Sequence, residues 1–329
     1  MDQWLAIREA SHERGTLEFA TLRKYRLAAR YLYNSSIMSI KLSRLTEANV
    51  YHLIDELRTG PRLVKPGYRT ERKPQLGDAM IQEILICLKM SVVEAKRRGQ
   101  VSRNVTFGIG LGKSDRRQRP IIPTKDEIKA ILAHADGMWR VLLMTAIFTG
   151  LRASELRGLP WKDVDLDKGA LSVTQRAEFR GIIGPPKSEA GTRVVPLPVQ
   201  LANELKEYKL SLPLPHDLVF PNPANRGMRK YPLRPLRYSH LYVQFDRIQR
   251  EAGVVDKDGK AKFSPHELRH FYASWLLADM NLSIKRVQAL MGHSKATMTL
   301  ERYGHLMPSY EDDQTKFGAA AARLLKDAS

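Results

Sequence analysis

The sequence predicts a mainly α-helical protein of two domains, with a small antiparallel β-hairpin or sheet in the second domain. Three observations support this prediction. Apolar residues recur at the three- and four-residue spacing of amphipathic helices through most of the 329 residues. Two short segments in the second half alternate between apolar and polar residues, as half-buried strands do. A basic, proline-containing segment separates the two parts, which is typical of a linker.

The first domain is predicted to span residues 1–115 and to be helical. Its helices are expected at residues 17–33, 46–58 and 78–98, each with one apolar stripe. Between the second and third lies GPRLVKPGYRTERKPQ, which is rich in glycine, proline and basic residues. We therefore expect a basic insertion at residues 59–75, which is either a surface that contacts nucleic acid or a solvated loop.

The second domain is predicted to span residues 124–329, after a linker at residues 116–123. Thr124 and Glu127 have the spacing of a capping box, which begins a helix. Strands are expected in ALSVTQRAEF and TRVVPLP, with Lys187 at the tip of the hairpin between them. Helices are expected to return after these strands, and the last of them forms a C-terminal tail helix.

The balance of charge indicates a polyanionic partner. The chain has 54 Lys and Arg against 35 Asp and Glu, a net charge of +19. Nucleic acid is the commonest partner of such a chain, and the alternative is a basic surface without a binding role. The sequence contains neither a membrane-spanning apolar run nor a signal peptide, and its single cysteine, Cys87, excludes an internal disulfide. We therefore expect a protein of the reducing cytoplasm without membrane association.

The segment HELRH, residues 266–270, has two chemical interpretations. As H-E-x-x-H on a helix it would be a zinc site, with His266 and His270 as ligands and Glu267 as the base. As H-x-x-R it places His266 and Arg269 on one helical face, which suits a phosphate. No third zinc ligand follows at the spacing of known zinc peptidases, so the sequence favours the phosphate interpretation.

Four separated segments become informative together: TGLRASEL (149–156), PPKSEAGTRVVPL (185–197), HELRH (266–270) and MGHSKATMTLERYGH (291–305). In this order they supply Arg, Lys, His-x-x-Arg, His and Tyr. The order resembles that of the tyrosine recombinases, also called the phage integrase family, over the whole second domain and more loosely over the first. The resemblance implies six catalytic residues and two supporting ones. They are Arg152, Lys187, His266, Arg269, His293 and the nucleophile Tyr303, with Glu155 expected to orient basic groups and His270 to pack or orient its helix.

The resemblance implies that DNA strands are cut and rejoined through a 3′-phosphotyrosyl bond. Arg152 and Arg269 suit a phosphate because they stay protonated and donate bidentate hydrogen bonds. Tyr303 is then the nucleophile and Lys187 the general acid, while His266 helps to remove the phenolic proton. The phosphotyrosyl bond conserves the energy of the phosphodiester, so neither a metal ion nor another cofactor is expected.

The same resemblance implies a two-domain clamp around double-stranded DNA and a homotetramer on two duplexes, with accessory DNA-bending proteins as further partners. The tail helix either docks on a neighbouring subunit or folds back on its own domain. About sixteen residues precede the first predicted helix, so a separate arm-site-binding domain is not expected. Basic residues of the first domain are candidate DNA contacts: Lys24, Arg26, Arg69, Arg72, Lys73, Lys96, Arg97 and Arg98.

Several functions share these features. An integrase of a phage or another mobile element is favoured over a Xer-like recombinase that resolves chromosome dimers, because the basic insertion departs from those compact enzymes. A type IB topoisomerase would use the same chemistry without strand exchange. Two alternatives belong to other classes, a zinc metallopeptidase based on HELRH and a DNA-binding protein without catalytic activity.

Overall fold

The structure, a computed structural model, describes residues 1–60, 75–112, 121–212, 217–223, 234–304, 314, 317–318 and 321–323. The chain forms two compact units, Met1–Arg117 and Gln118–Ser329. Most of the predicted basic insertion and of the predicted linker lie outside the described residues. Within the described ranges, none of the helices combines the length and the apolar character that a membrane crossing requires.

The first unit is helical. In its described residues, helix Asp2–Glu13 packs against helix Phe19–Tyr33, which packs in turn against helix Asp78–Arg97. The first helix was not predicted from the sequence. Trp4 is its only buried residue, so the helix has no apolar stripe of the kind that marks the other helices. Thr46 is the N-cap of the third helix and forms a capping box with Asn49. The helices are α1 (Asp2–Glu13), α2 (Phe19–Tyr33), α3 (Glu47–Thr59) and α4 (Asp78–Arg97).

Aromatic and aliphatic side chains form the core of the first unit. The ring of Trp4 meets the ring of Tyr25 edge-on, with 5.1 Å between the centroids. Cys87 on α4 is completely buried in this core. Burial raises the pKa of its thiol to about 12, so the unreactive thiol form prevails at neutral pH.

The second unit is built around helix α6 (Gly137–Thr149). This helix is apolar on nearly all sides, and it packs against helices Val199–Ser211 and Pro265–Ala278. Gly150 ends it in the left-handed conformation, with φ of 59°. The predicted capping box of Thr124 and Glu127 begins α5. The helices are α5 (Lys125–Ala133), α6 (Gly137–Thr149), α7 (Ala153–Gly158), α8 (Val199–Ser211), α9 (Tyr238–Glu251), α10 (Pro265–Ala278), α11 (Ile284–Met291) and α12 (Ala296–Tyr303).

The strands of the second unit form small antiparallel sheets, which confirms the predicted fold class. Strand Ala170–Val173 lies between strands Val164–Asp165 and Arg193–Pro196, with Leu171 opposite Val195. The predicted strand ALSVTQRAEF divides into β2 (Ala170–Val173) and β3 (Arg176–Ala177). Between them, the hydroxyl of Thr174 donates a hydrogen bond to Asp163, and the amide of Gln175 donates one to the carbonyl oxygen of Gly158. The strands are β1 (Val164–Asp165), β2 (Ala170–Val173), β3 (Arg176–Ala177), β4 (Ile183–Gly184) and β5 (Arg193–Pro196).

Lys187 is not at the tip of a hairpin, so this prediction was wrong. The strands β3 and β4 form an inserted hairpin, and its turn is closed by the backbone of Glu178 and Ile182. Pro185 and Pro186 follow β4 and end it, because proline has no N–H to continue the ladder. Lys187 lies in the exposed bend after them, on the connection that returns to β5.

The predicted C-terminal tail helix is described only in part. Residues 314, 317–318 and 321–323 are helical, and the remaining residues after 304 lie outside the described ranges.

Gly150 and Gly253 allow a paired test of the packing around α6. Both have positive φ, 59° and 68°. A Cβ at Gly150 would lie 2.2 Å from Cδ1 of Tyr272, whereas nothing lies within 4 Å of a Cβ at Gly253. We expect Gly150→Ala to be more destabilising than Gly253→Ala by about 1–3 kcal/mol, the usual cost of overpacking.

Urea unfolding monitored by tryptophan fluorescence measures the two losses. The left-handed conformation costs both variants about 1–2 kcal/mol and cancels in the comparison. Equal destabilisation of the two variants would contradict the close packing described at Gly150.

Candidate active site

The ends of two helices hold the guanidinium group of Arg269. Its Nη1 donates to the carbonyl oxygen of Gly150 after α6, and its Nη2 donates to that of Met291 at the end of α11. The C-terminal ends of helices carry partial negative charge, which favours a cation there. Arg269 is only 2% exposed. Burial lowers its pKa to about 9, with a smaller contribution from Arg152, so the group remains charged at neutral pH.

Arg152 is held beside it in a similar way. Its Nη2 donates to the carbonyl oxygen of Gly292, 2.8 Å away, and its Nη1 donates to Glu155 Oε1 at 2.6 Å. Gly292 ends α11 in the left-handed conformation, as Gly150 ends α6. About a third of the Arg152 side chain is exposed, in contrast to the buried Arg269.

Glu155 connects Arg152 to Arg193, a residue that the sequence analysis did not identify. Arg193 Nη2 donates to Glu155 Oε2 at 2.9 Å, and both side chains are at most 5% exposed. The other nitrogens of Arg193 donate to the carbonyl oxygens of Leu290 and Gly191. Burial raises the pKa of Glu155, but the guanidinium groups of Arg193 and Arg152 lower it more, so the net pKa is below its usual value.

The hydroxyl group of Tyr303 lies in the same region of the second unit. Tyr303 ends α12, is 1% exposed and forms a hydrogen bond with Nδ1 of His270. The Nη1 of Arg302 contacts Nε2 of His270 at 3.4 Å. Burial raises the pKa of Tyr303 to about 12, although Arg269 and Arg302 each lower it. At that value roughly one phenol in a hundred thousand is ionised at pH 7.

The two histidines of HELRH have different surroundings. His270 is buried and forms a hydrogen bond with the tyrosine hydroxyl, so it is in direct contact with the expected nucleophile, whereas the sequence indicated only that it packs or orients its helix. His266 is exposed, and its ring lies against the ring of His270 with 4.6 Å between centroids. The carboxylate of Glu267 accepts hydrogen bonds from the backbone and hydroxyl of Ser264, so it caps α10. In the described part of the chain, no three His, Cys, Asp or Glu side chains form a group suited to a metal ion.

His293 and Lys187 complete the set predicted from the sequence. His293 is buried beyond the end of α11, where its Nδ1 is 2.9 Å from Oγ1 of Thr299. Burial, and then the charges of Arg269 and Arg152, lower its pKa to about 4. Lys187 is exposed in the connection before β5, the strand that carries Arg193. The structure thus brings the arginines, Glu155, His270, His293 and Tyr303 together, with His266 at their edge and Lys187 on a neighbouring loop.

Five of the basic side chains predicted to contact DNA belong to the described residues, and they are exposed at the surface of the first unit. Three of them form ion pairs there: Lys24 with Glu83, Arg26 with Glu9 and Arg98 with Glu94. Two others, Lys96 and Arg97, line a surface depression together with Phe107. Arg69, Arg72 and Lys73 lie outside the described residues.

Comparison with known proteins defines the class of this site. The family model described as the phage integrase family matches residues 123–309. The match spans more than half of the chain and includes every residue of the candidate site. The chain therefore belongs to the phage integrase family and is a tyrosine recombinase, an enzyme of site-specific DNA recombination.

Individual relatives support this assignment. The chain is 26% identical to the prophage integrase IntR of Escherichia coli K12, over 95% of this chain and 77% of that protein. It is 31% identical to the tyrosine recombinase XerA of Thermococcus kodakarensis, over 56% of this chain and 57% of that protein. A solved structure of the Tn1549 transposon integrase with transposon right end DNA has a TM-score of 0.75 at 18% identity, and the match covers 97% of this chain and 98% of that one. At that identity the likeness shows the fold.

Replacing Glu155 tests its place between two guanidinium groups. We expect Glu155→Gln to destabilise the second unit by about 3–5 kcal/mol at neutral pH, because the variant leaves buried charge without its counterion. The exposed Glu207 on α8 provides a matched control, Glu207→Gln, for which we expect little change.

The pH dependence of this loss has a definite sign. The pKa of Glu155 is lower in the folded state, so its contribution is complete above the ordinary value of 4.5 and disappears as the pH falls through the folded-state value. Urea unfolding of both variants at neutral and acidic pH should therefore show the gap between wild type and Glu155→Gln closing in acid. A gap that stays constant would disprove the assignment of charge to Glu155.

Proposed function

We propose that this enzyme cleaves and rejoins DNA by nucleophilic attack of Tyr303 on a backbone phosphate. A bond forms between the tyrosine oxygen and phosphorus, and the bond from phosphorus to the 5′-oxygen breaks. The product is a 3′-phosphotyrosyl intermediate, which the 5′-hydroxyl group of another strand can reverse. Neither a metal ion nor a cofactor takes part in this scheme.

One observation carries the proposal: the hydroxyl of Tyr303 forms a hydrogen bond with His270, the residue that follows Arg269 on α10, and Arg269 and Arg152 donate to the consecutive carbonyl oxygens of Met291 and Gly292. Two anchored guanidinium groups can bind the equatorial oxygens of a pentacoordinate phosphorus and stabilise their charge. Backbone carbonyl oxygens orient both groups, and a local movement has to uncover Arg269 and Tyr303 before a phosphate can reach them. We assign the phosphate clamp to Arg152 and Arg269, with His293 as a further donor.

Proton transfers require two more groups. The proton of Tyr303 must leave as the new bond forms, and the 5′-oxygen must gain one as the old bond breaks. His266 is suited to the first transfer, because it is exposed beside His270, which contacts the hydroxyl. Lys187 is suited to the second, because its loop is exposed and is joined through Gly191 to the Arg193–Glu155 pair.

We assign DNA binding to both units, with the helical first unit as the core-binding domain, residues 1–115, and residues 124–329 as the catalytic domain. The charge of +19 supports this assignment, and so do Lys96 and Arg97 beside the exposed Phe107. The carboxylate partners of Lys24 and Arg26 are 42% and 39% exposed, so these surface ion pairs would compete with phosphate only weakly, and the partner of Arg98 is 20% exposed.

Integration and excision of a phage or another mobile element is the proposed role. It is favoured because the alignment with a prophage integrase extends over nearly the whole chain, whereas that with XerA covers about half. Xer-like resolution of chromosome dimers is the second candidate. We expect a homotetramer on two duplexes, with accessory DNA-bending proteins, acting in the cytoplasm where its DNA substrate is found. An assay of recombination between two plasmid-borne sites distinguishes both roles from topoisomerase activity, because a topoisomerase rejoins strands without exchanging them.

The covalent intermediate is the first test. A binding site is selected from a random duplex library, and the selected duplex is nicked so that cleavage releases a short strand and traps the intermediate. We expect wild-type protein to form a DNA adduct that resists SDS, and Tyr303→Phe to form none, because it lacks the attacking oxygen. Tyr310→Phe, seven residues further on, is the control and should form the adduct. Adduct formation by Tyr303→Phe would exclude the proposed nucleophile.

The role of Lys187 has a separate test. We expect Lys187→Ala to slow cleavage by about a hundredfold or more, the usual contribution of a general acid. A substrate with sulfur in place of the bridging 5′-oxygen has a leaving group that needs no proton. On that substrate the variant should approach the wild-type rate, measured as adduct formed with time. A deficit that persists with sulfur would assign Lys187 to binding rather than to proton transfer.

A further inference from the structure

Three side chains form a continuous series that ends at the proposed nucleophile. Arg302 Nη1 contacts His270 Nε2 at 3.4 Å, and His270 Nδ1 forms a hydrogen bond with the hydroxyl of Tyr303. Arg302 and Tyr303 are consecutive residues of α12, whereas His270 belongs to α10. Both ring nitrogens of His270 are therefore engaged by residues of one neighbouring helix.

The chemistry of guanidinium determines which nitrogen of His270 carries hydrogen. Arginine has only N–H donors and no acceptor, so it can form a hydrogen bond with Nε2 only if Nε2 has no hydrogen. A neutral imidazole has one N–H, which must then be on Nδ1. Because Nδ1 faces Tyr303, it donates to the phenolic oxygen.

The surroundings of His270 keep its ring neutral. Burial lowers the pKa of His270 to about 3, and nearby basic groups lower it as well. These groups come from each element packed around the ring. They are His266 and Arg269 on α10, Arg302 on α12 and His293 in the connection between α11 and α12.

We infer that Arg302 fixes the tautomer of His270, so that His270 donates a hydrogen bond to the oxygen of Tyr303 and does not accept its proton. Under the proposed function, on which this inference rests, that oxygen becomes the nucleophile. A donor at Nδ1 stabilises negative charge as it develops there and leaves the hydroxyl hydrogen for another acceptor, which we have assigned as His266. Arg302 is a positioning residue, because it acts through His270.

The tautomer can be observed directly, without DNA. Nitrogen-15 NMR of the imidazole rings distinguishes Nδ1–H from Nε2–H, and the signals that disappear in His270→Asn belong to His270. His12 provides an internal reference, because its Nδ1 lies 2.8 Å from the carbonyl oxygen of Leu17 and must donate to it. We expect His270 to show the same Nδ1–H pattern from mildly acidic to alkaline pH. We expect Arg302→Leu to lose this preference.

An Nε2–H or cationic His270 in the wild-type protein at neutral pH would overturn the inference, and so would an unchanged tautomer in Arg302→Leu. These outcomes are independent of catalysis. If the wild-type protein formed no DNA adduct, the proposed function would fail while the tautomer remained measurable.

Two substitutions of His270 separate donation from proton acceptance in the reaction. The side-chain amide of asparagine can donate from near the position of Nδ1 but is not a base, whereas leucine can do neither. We therefore expect His270→Asn to form the covalent adduct about tenfold to a hundredfold faster than His270→Leu, as is usual for a hydrogen bond to a charged group. Circular dichroism melting of both variants controls for folding. Equal loss in the two folded variants would indicate that His270 is the base and would contradict the inference.

Discussion

The second unit depends on the burial of positive charge without a carboxylate for every guanidinium group. Arg269 is almost completely enclosed, and its hydrogen bonds go to the carbonyl oxygens of Gly150 and Met291. Arg152 is bound in turn by the carbonyl oxygen of Gly292 and by Glu155. The C-terminal ends of α6 and α11 thus replace counterions. Both helices end at a left-handed glycine. A continued helix would have used the last carbonyl groups for its own hydrogen bonds, whereas here they can accept hydrogen bonds from arginine.

This arrangement leaves the site with an excess of positive charge. Among the described residues of the second unit, Glu155 is the buried carboxylate, and it lies between Arg152 and Arg193. Burial lowers the pKa values of His270 and His293 and the surplus lowers them further, so both rings are neutral at neutral pH. A bound phosphate would supply the missing negative charge. The phenol of Tyr303 stays protonated because burial raises its pKa by more than Arg269 and Arg302 lower it.

The sequence predicted the fold class and the starts of the best-patterned helices, because apolar stripes and capping boxes are local signals. Thr46 and Thr124 show this, since each cap depends on residues three positions away. The first helix was missed because Trp4 alone is buried on it. Most site residues could be identified from the order of their residue types along the chain. Arg193 could not, because its role arises from contacts with Glu155 and Leu290, which are distant in the sequence. The contact of His270 with Tyr303 likewise joins helices that are separated in the chain.

The burial of Cys87 makes this protein convenient for spectroscopy. A thiol with no exposed surface and a raised pKa does not react readily with maleimide dyes, so the natural cysteine need not be removed. A pair of cysteines introduced at exposed positions, one in each unit, would accept a donor and an acceptor fluorophore selectively. Energy transfer between them would then report how the distance between the helical unit and the catalytic unit changes when a duplex is added.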